Sequence, residues 1–145
     1  MPNLIYTYGY ANSKRPTVLQ DFALAHNAVI IDVRLRPYSR FRPIWNKGIL
    51  TEHLGDIYKH IPAFGNLNYR GDMGPSIILQ NPEQGLRDVL PILETQSIIL
   101  ICVCAHPSTC HRSEVAQILA KETGCEIVHL TDAILYGLPY QPGLL

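Results

Sequence analysis

The segment Ile98-Ile99-Leu100-Ile101-Cys102-Val103 constrains this chain most, because it is apolar at every position. A strand with one face in water would alternate, so an unbroken apolar run reads as a strand covered on both faces, the central position of a parallel sheet. Ala28-Val29-Ile30-Ile31-Asp32-Val33 is likewise apolar on both faces apart from Asp32, near which the strand should end. Shorter β-prone stretches at Leu4 to Tyr8, Ile57 to Ile61 and Glu126 to Leu130 supply three more candidate strands.

Helical signals lie between these runs. Val18, Leu19 and Phe22 recur at helical spacing after Pro16, and a short helix fits Trp45 to Leu54. Asn81-Pro82-Glu83-Gln84 combines a capping residue with a first-turn proline, predicting a helix to about Glu94 that Pro91 should kink or shorten. Val115, Ile118 and Leu119 share a face in a helix that Gly124 should stop. The tail, with Gly137, Pro139, Pro142 and Gly143, reads as coil. Strands alternating with helices predict an α/β fold, a three-layer sandwich with a mainly parallel sheet of about five strands and Ile98 to Cys104 at its centre.

A chain of 145 residues suits one domain. No apolar run approaches the roughly eighteen residues of a membrane span, and the N-terminus lacks the basic start and apolar run of a secretory signal. Four clustered cysteines do not suit a secreted disulfide scaffold and read as thiols, so a cytoplasmic location is expected. Twelve basic and twelve acidic residues cancel, so attraction to a polyanion would have to be local. No membrane partner is expected.

In a parallel sheet the strand C-termini share one edge, and ligands bind in the crevice outside it. The loops 9–12, 32–42, 62–66 and 104–112 should therefore converge. The stretch from Pro62 to Pro75, rich in Gly, Asn and Pro, is of the length that is either mobile or functional.

The loop Cys102 to Arg112 leads from a buried strand into a helix whose first amides form a positive end. Cys110, beside that end and next to His111 and Arg112, would have its thiolate stabilised, the usual route to a reactive cysteine. The plainer reading makes the cysteines small core residues and pairs Arg112 with Asp32; for Cys102 and Cys104 that reading is preferred. Cys104 to Arg112 encloses seven residues and Cys110 to Arg112 one, so neither reproduces the spacing of phosphatase or sulfurtransferase cradles. Cys102, Cys104, Cys110 and His111 also offer four zinc-type ligands. Cys-x-Cys is not the usual zinc knuckle, however, and neither metal nor other cofactor is expected.

A second cluster runs from Asp32 through Arg34, Arg36, Tyr38, Ser39, Arg40, Phe41 and Arg42 to Trp45, with no acid between Asp32 and Glu52. Arginines interleaved with aromatics suit phosphate contacts plus base stacking, which points to a nucleotide or nucleic-acid strand. The alternative is a solvated basic loop whose aromatics fold onto the core. Asp32 is a candidate base or arginine orienter, although a strand-end carboxylate often caps its own loop.

Together these segments resemble the family called domain of unknown function 488, over nearly the whole chain. Tyr6, Thr7, Tyr8 and Gly9 match its opening motif. Asp32, Val33, Arg34, Pro37, Ser39 and Arg40 match an Asp-Val-Arg-x-x-Pro-x-Ser-Arg stretch, and His60, Pro62 and Gly65 a His-x-Pro-x-x-Gly segment. Cys102, Pro107, Cys110, His111 and Arg112 match Cys-x-Glu-x-x-Pro-x-x-Cys-His-Arg, except that Cys104 stands at the glutamate position. A thiol cannot serve there as a carboxylate base at neutral pH. The resemblance implies a site and no reaction; it places Tyr8, Ser39 and His60 beside the arginines as substrate-facing residues.

The expected function is binding of, or action on, a phosphate-bearing substrate. Arg34, Arg40 and Arg112 would hold the anion, Cys110 would be the nucleophile or thiolate sensor, and Asp32 with His111 would manage protons. The alternative of a different class is a non-catalytic nucleic-acid binding module that uses the arginine and aromatic loop.

Overall fold

The computed structural model describes residues 3–11, 16–103 and 110–135. In chain order the elements are β1 (Ile5–Gly9), α1 (Pro16–Ala25), β2 (Ala28–Asp32), α2 (Lys47–Leu54), β3 (Tyr58–His60), α3 (Pro82–Leu93), β4 (Ser97–Cys102), α4 (His111–Thr123), β5 (Ile127–His129) and α5 (Asp132–Leu135). Short 3-10 turns at Pro43–Trp45, Gly55–Ile57 and Pro62–Phe64 join some of them. Asn12, Cys104, Pro107 and the coil expected at Gly137, Pro139, Pro142 and Gly143 lie outside the described residues.

All five strands are parallel, in the order β3-β2-β4-β1-β5. The most apolar run thus lies in the middle, with Ile99 opposite Tyr6 on one side and Ile30 on the other. Right-handed crossovers would put the two leftward connections on one face and the two rightward ones on the other. The cores have this division. Leu19 and Phe22 of α1 and Leu50 and Leu54 of α2 cluster with Tyr6, Ile30 and Ile99. Val89 and Leu93 of α3 and Val115 and Leu119 of α4 cluster with Ile31, Ile98 and Leu100. Every residue of β4 is buried because alternate side chains feed opposite cores. Each such Ile or Leu contributes on the order of 1.5–3 kcal/mol.

Several boundaries differ from the sequence expectation. β4 ends at Cys102, two residues before Cys104, as the chain leaves the sheet. The third strand shrinks to Tyr58–His60 at the sheet edge, where only β2 supplies hydrogen bonds. Trp45 lies in a 3-10 turn ahead of α2, not within it. Asn81 caps α3 by accepting from the Gln84 amide, and the helix stops at Leu93, two residues beyond Pro91. α4 is closed by Gly124 in the left-handed conformation.

The long stretch after β3 is ordered by two asparagines. Asn66 Oδ1 accepts from the amides of Asn68 and Ile78 at 2.9 and 3.0 Å. Buried Asn68 donates to the carbonyls of Gly74 and Ser76 and accepts from the Met73 amide, pinning the turn from three sides. Gly65 is required for packing, since a Cβ there would stand 2.7 Å from the Leu35 Cα.

Candidate functional site

The chain leaves β2 toward one sheet edge and β4 toward the other, so a crevice opens between their C-terminal ends, the switch point where such folds take ligands. A cavity of about 300 Å³ lies there. The loop after β2 supplies Arg34, Leu35, Arg36, Tyr38 and Ser39. Tyr10 follows β1, Asn66 and Tyr69 come from the asparagine-pinned turn, and Cys102, Val103 and His111 come from the end of β4 and the start of α4. Among the described residues the lining holds two arginines, a histidine and three tyrosines, and no carboxylate.

Beneath the crevice lies a dense ionic network. Arg34 grips Asp32 with both arms, Nε to Oδ1 at 2.8 Å and Nη2 to Oδ2 at 2.6 Å. Its backbone amide also donates to Oδ1, and Tyr58 Oη donates to Oδ2 at 2.5 Å. The guanidinium further donates to Tyr10 Oη and to the Trp45 carbonyl, each at 2.6 Å, and lies over the Tyr10 ring, which stacks on Trp45. Burial alone would lower the Arg34 pKa, but the hydrogen bonds and charge of Asp32 outweigh it and hold the arginine more firmly protonated. Burial, and then the Asp32 charge, push the Tyr58 hydroxyl well above the usual range. A carboxylate engaged this way and wholly buried has no position from which to take a substrate proton. Asp32, wholly buried, holds Arg34 through both carboxylate oxygens, a placement that lends no geometry to the proton-handling role expected of it.

The other end of the crevice floor is built differently. His111 Nε2 meets the Val33 carbonyl at 2.7 Å. A carbonyl only accepts, so Nε2 carries a proton, and Nδ1 faces Cys102 Sγ, 3.7 Å away. Cys110, 3% exposed, occupies the N-cap position of α4 without a side-chain capping hydrogen bond. The ligand atoms of Cys102, Cys110 and His111 all lie within 4.8 Å of one another.

The remaining sequence candidates are scattered. Ser39 reaches the crevice, its amide held by Asn46 Oδ1 and its Oγ accepting from the Phe41 amide. Arg40 is exposed and does not line the cavity. His60 pins the loop after β2 by donating from Nε2 to the Arg34 carbonyl, outside the cavity. Tyr8 is buried in the core on the α1 and α2 side, its hydroxyl donating to Asp132. Arg112 is buried and its charge acts on His129 at the far edge of the sheet. Arg34, Arg40 and Arg112 therefore do not form one anion cradle. Among the described thiols, Cys102 is a core residue, as its plainer reading expected, and also borders the cavity, whereas Cys110 does not.

Tyr10 and Tyr69 were missed as site residues. Tyr10 carried a usable signal, lying just past Gly9 in one of the converging loops. Tyr69 carried none, because its place depends on the fold of the asparagine turn. The structure supports these positions from geometry alone: no protein-family model, curated protein or solved structure is significantly similar to this chain.

Proposed function

We propose that the crevice between the ends of β2 and β4 binds a phosphate-bearing small molecule with an aromatic moiety, a nucleotide or a close analogue. The observation that carries this reading is the lining: arginine, histidine and tyrosine side chains around about 300 Å³, with no acid among the described residues there. An anion entering meets no repelling charge, and tyrosine rings offer stacking faces for a base. The Asp32 charge below is offset by Arg34, while exposed Arg36 contributes a cation at the wall. Cys102 and His111 are the groups placed to do chemistry on such a ligand. We also propose, on the motifs through Asp32, Gly65 and Cys102, membership of the domain of unknown function 488 family.

A second reading has its own support. Tyr38, Phe41 and Tyr69 are 77%, 88% and 51% exposed, and Arg36, Arg40 and Arg70 are exposed in the same loops. Aromatics beside arginines suit a single nucleic-acid strand.

Thermal shift with nucleoside mono-, di- and triphosphates and short single strands, at low and high salt, separates the two. Stabilisation by small nucleotides that persists at high salt supports the pocket. Stabilisation by polymers alone, lost with salt, supports strand binding and refutes the pocket. No response to any phosphate compound refutes both.

A further inference from the structure

We propose that Cys102, Cys110 and His111 form a binding site for a zinc-class divalent cation at the floor of the crevice. The three residues come from three local structures: the last residue of β4, the N-cap of α4 and the first residue of that helix. The fold brings their sulfur and nitrogen atoms within 4.8 Å of one another. Zinc bonds of about 2.3 Å to sulfur and 2.0 Å to nitrogen at a tetrahedral angle put those atoms roughly 3.6 Å apart. Cys102 Sγ and His111 Nδ1 are 3.7 Å apart.

The second, independent observation is the histidine's hydrogen bond. Metal-bound imidazoles characteristically donate their other N–H to a carbonyl or carboxylate, which fixes the ring. His111 does this through Nε2 to the Val33 carbonyl, turning Nδ1 to the sulfur. Two thiolates and one imidazole form a donor set suited to zinc and unsuited to magnesium or calcium. Binding would release the two thiol protons to solvent, and the α4 N-terminus would favour the Cys110 thiolate left behind.

Cys102 and His111 line the crevice while Cys110 lies in the core beside Val115 and Phe64. Among the described residues, the donor atoms therefore lie between the core and the cavity. The cation site stands on its own geometry, whether or not the crevice takes a phosphate.

The test is a Co²⁺ titration of reduced, chelator-treated full-length protein, followed by optical spectroscopy and calorimetry in buffers of different ionisation enthalpy. One equivalent should bind with thiolate-to-cobalt charge transfer and intense tetrahedral d–d bands, be displaced by Zn²⁺, and release about two protons. Cys102→Ser, Cys110→Ser and His111→Ala should each lose stoichiometric binding, whereas Cys125→Ser should retain it. Should any of the three fail to fold, Zn²⁺ on the wild type should shield Cys102 and Cys110, but not Cys125, from alkylation until chelator is added. Substoichiometric binding, octahedral spectra, or equal alkylation of the three thiols with and without Zn²⁺ overturns the proposal. Arg36→Ala should leave the Co²⁺ spectrum unchanged, so failure of the metal site and failure of the nucleotide reading are separable.

Discussion

Two buried polar clusters sit side by side at the C-terminal edge of this sheet, and they are finished differently. Around Asp32 and Arg34, both carboxylate oxygens and most guanidinium donors are engaged by Tyr58, Tyr10, the Trp45 carbonyl and each other. Around His111, one ring nitrogen is fixed by the Val33 carbonyl, and the other faces a thiol at the floor of the crevice. The first arrangement holds the loop after β2 in place; the second turns donor atoms toward a shared point. Residue type alone does not separate frame from site, and the use to which each lone pair and N–H is put does.

Breaking the frame should have the largest effect. Asp32→Asn leaves the Arg34 charge buried without its counter-ion, and a loss of about 3–5 kcal/mol in unfolding free energy is expected by denaturant titration. Asp32→Leu with Arg34→Met should recover most of that loss if the pair is structural. A stable Asp32→Asn protein would make the network dispensable and reopen a chemical role for the carboxylate.

A smaller loss is expected where the turn meets the crevice wall. Gly65→Ala drives a Cβ into the Leu35 backbone, which cannot move aside cheaply, and about 1–3 kcal/mol of destabilisation is expected with weakened nucleotide response. An unaltered melting temperature would show that the wall yields.

At the crevice itself, stability and binding should part. Arg36→Ala should change stability by no more than about 0.5 kcal/mol and yet abolish most of the nucleotide-induced thermal shift. Arg40→Ala, outside the cavity, should do neither. Equal effects of the two on nucleotide binding would favour a diffuse basic surface over a pocket.

The sheet was legible in the sequence because the unbroken apolar runs at 28–31 and 98–102 suit strands buried on both faces, and the capping pattern at Asn81 is chemically specific. The convergence of loops at one edge followed from topology alone. The partition of charged residues within that edge did not. That Arg34 is engaged by Asp32, that Arg112 is buried and not among the described residues lining the cavity, and that Cys102 rather than Cys110 borders the cavity depend on side-chain directions that spacing does not encode. Nor could the Cys-x-Cys spacing reveal a donor cluster completed by residues eight and nine positions later.

The smallest effect concerns His129, whose imidazole faces Thr7 Oγ1 through Nδ1. Burial, and then the positive charge of Arg112, lower its pKa below the ordinary 6.5. The unfolded chain therefore takes up this proton first as pH falls. The contribution is complete above about pH 6.5 and is lost as pH falls through that value toward the lower folded pKa. The ring is largely exposed, so the slope should be slight. His129→Gln should flatten the stability profile between about pH 5 and 7; an unchanged profile would remove Arg112 from this role.

The most direct measurement is amide chemical-shift mapping of isotope-labelled protein titrated with adenosine monophosphate. Saturable perturbations should gather on Arg36, Tyr38, Ser39, Asn66, Tyr69 and Val103, leaving Tyr8 and His129 unmoved. Saturable perturbations centred on the β5 side near Arg112 and His129, or none at all, would contradict the crevice between β2 and β4 as the ligand site.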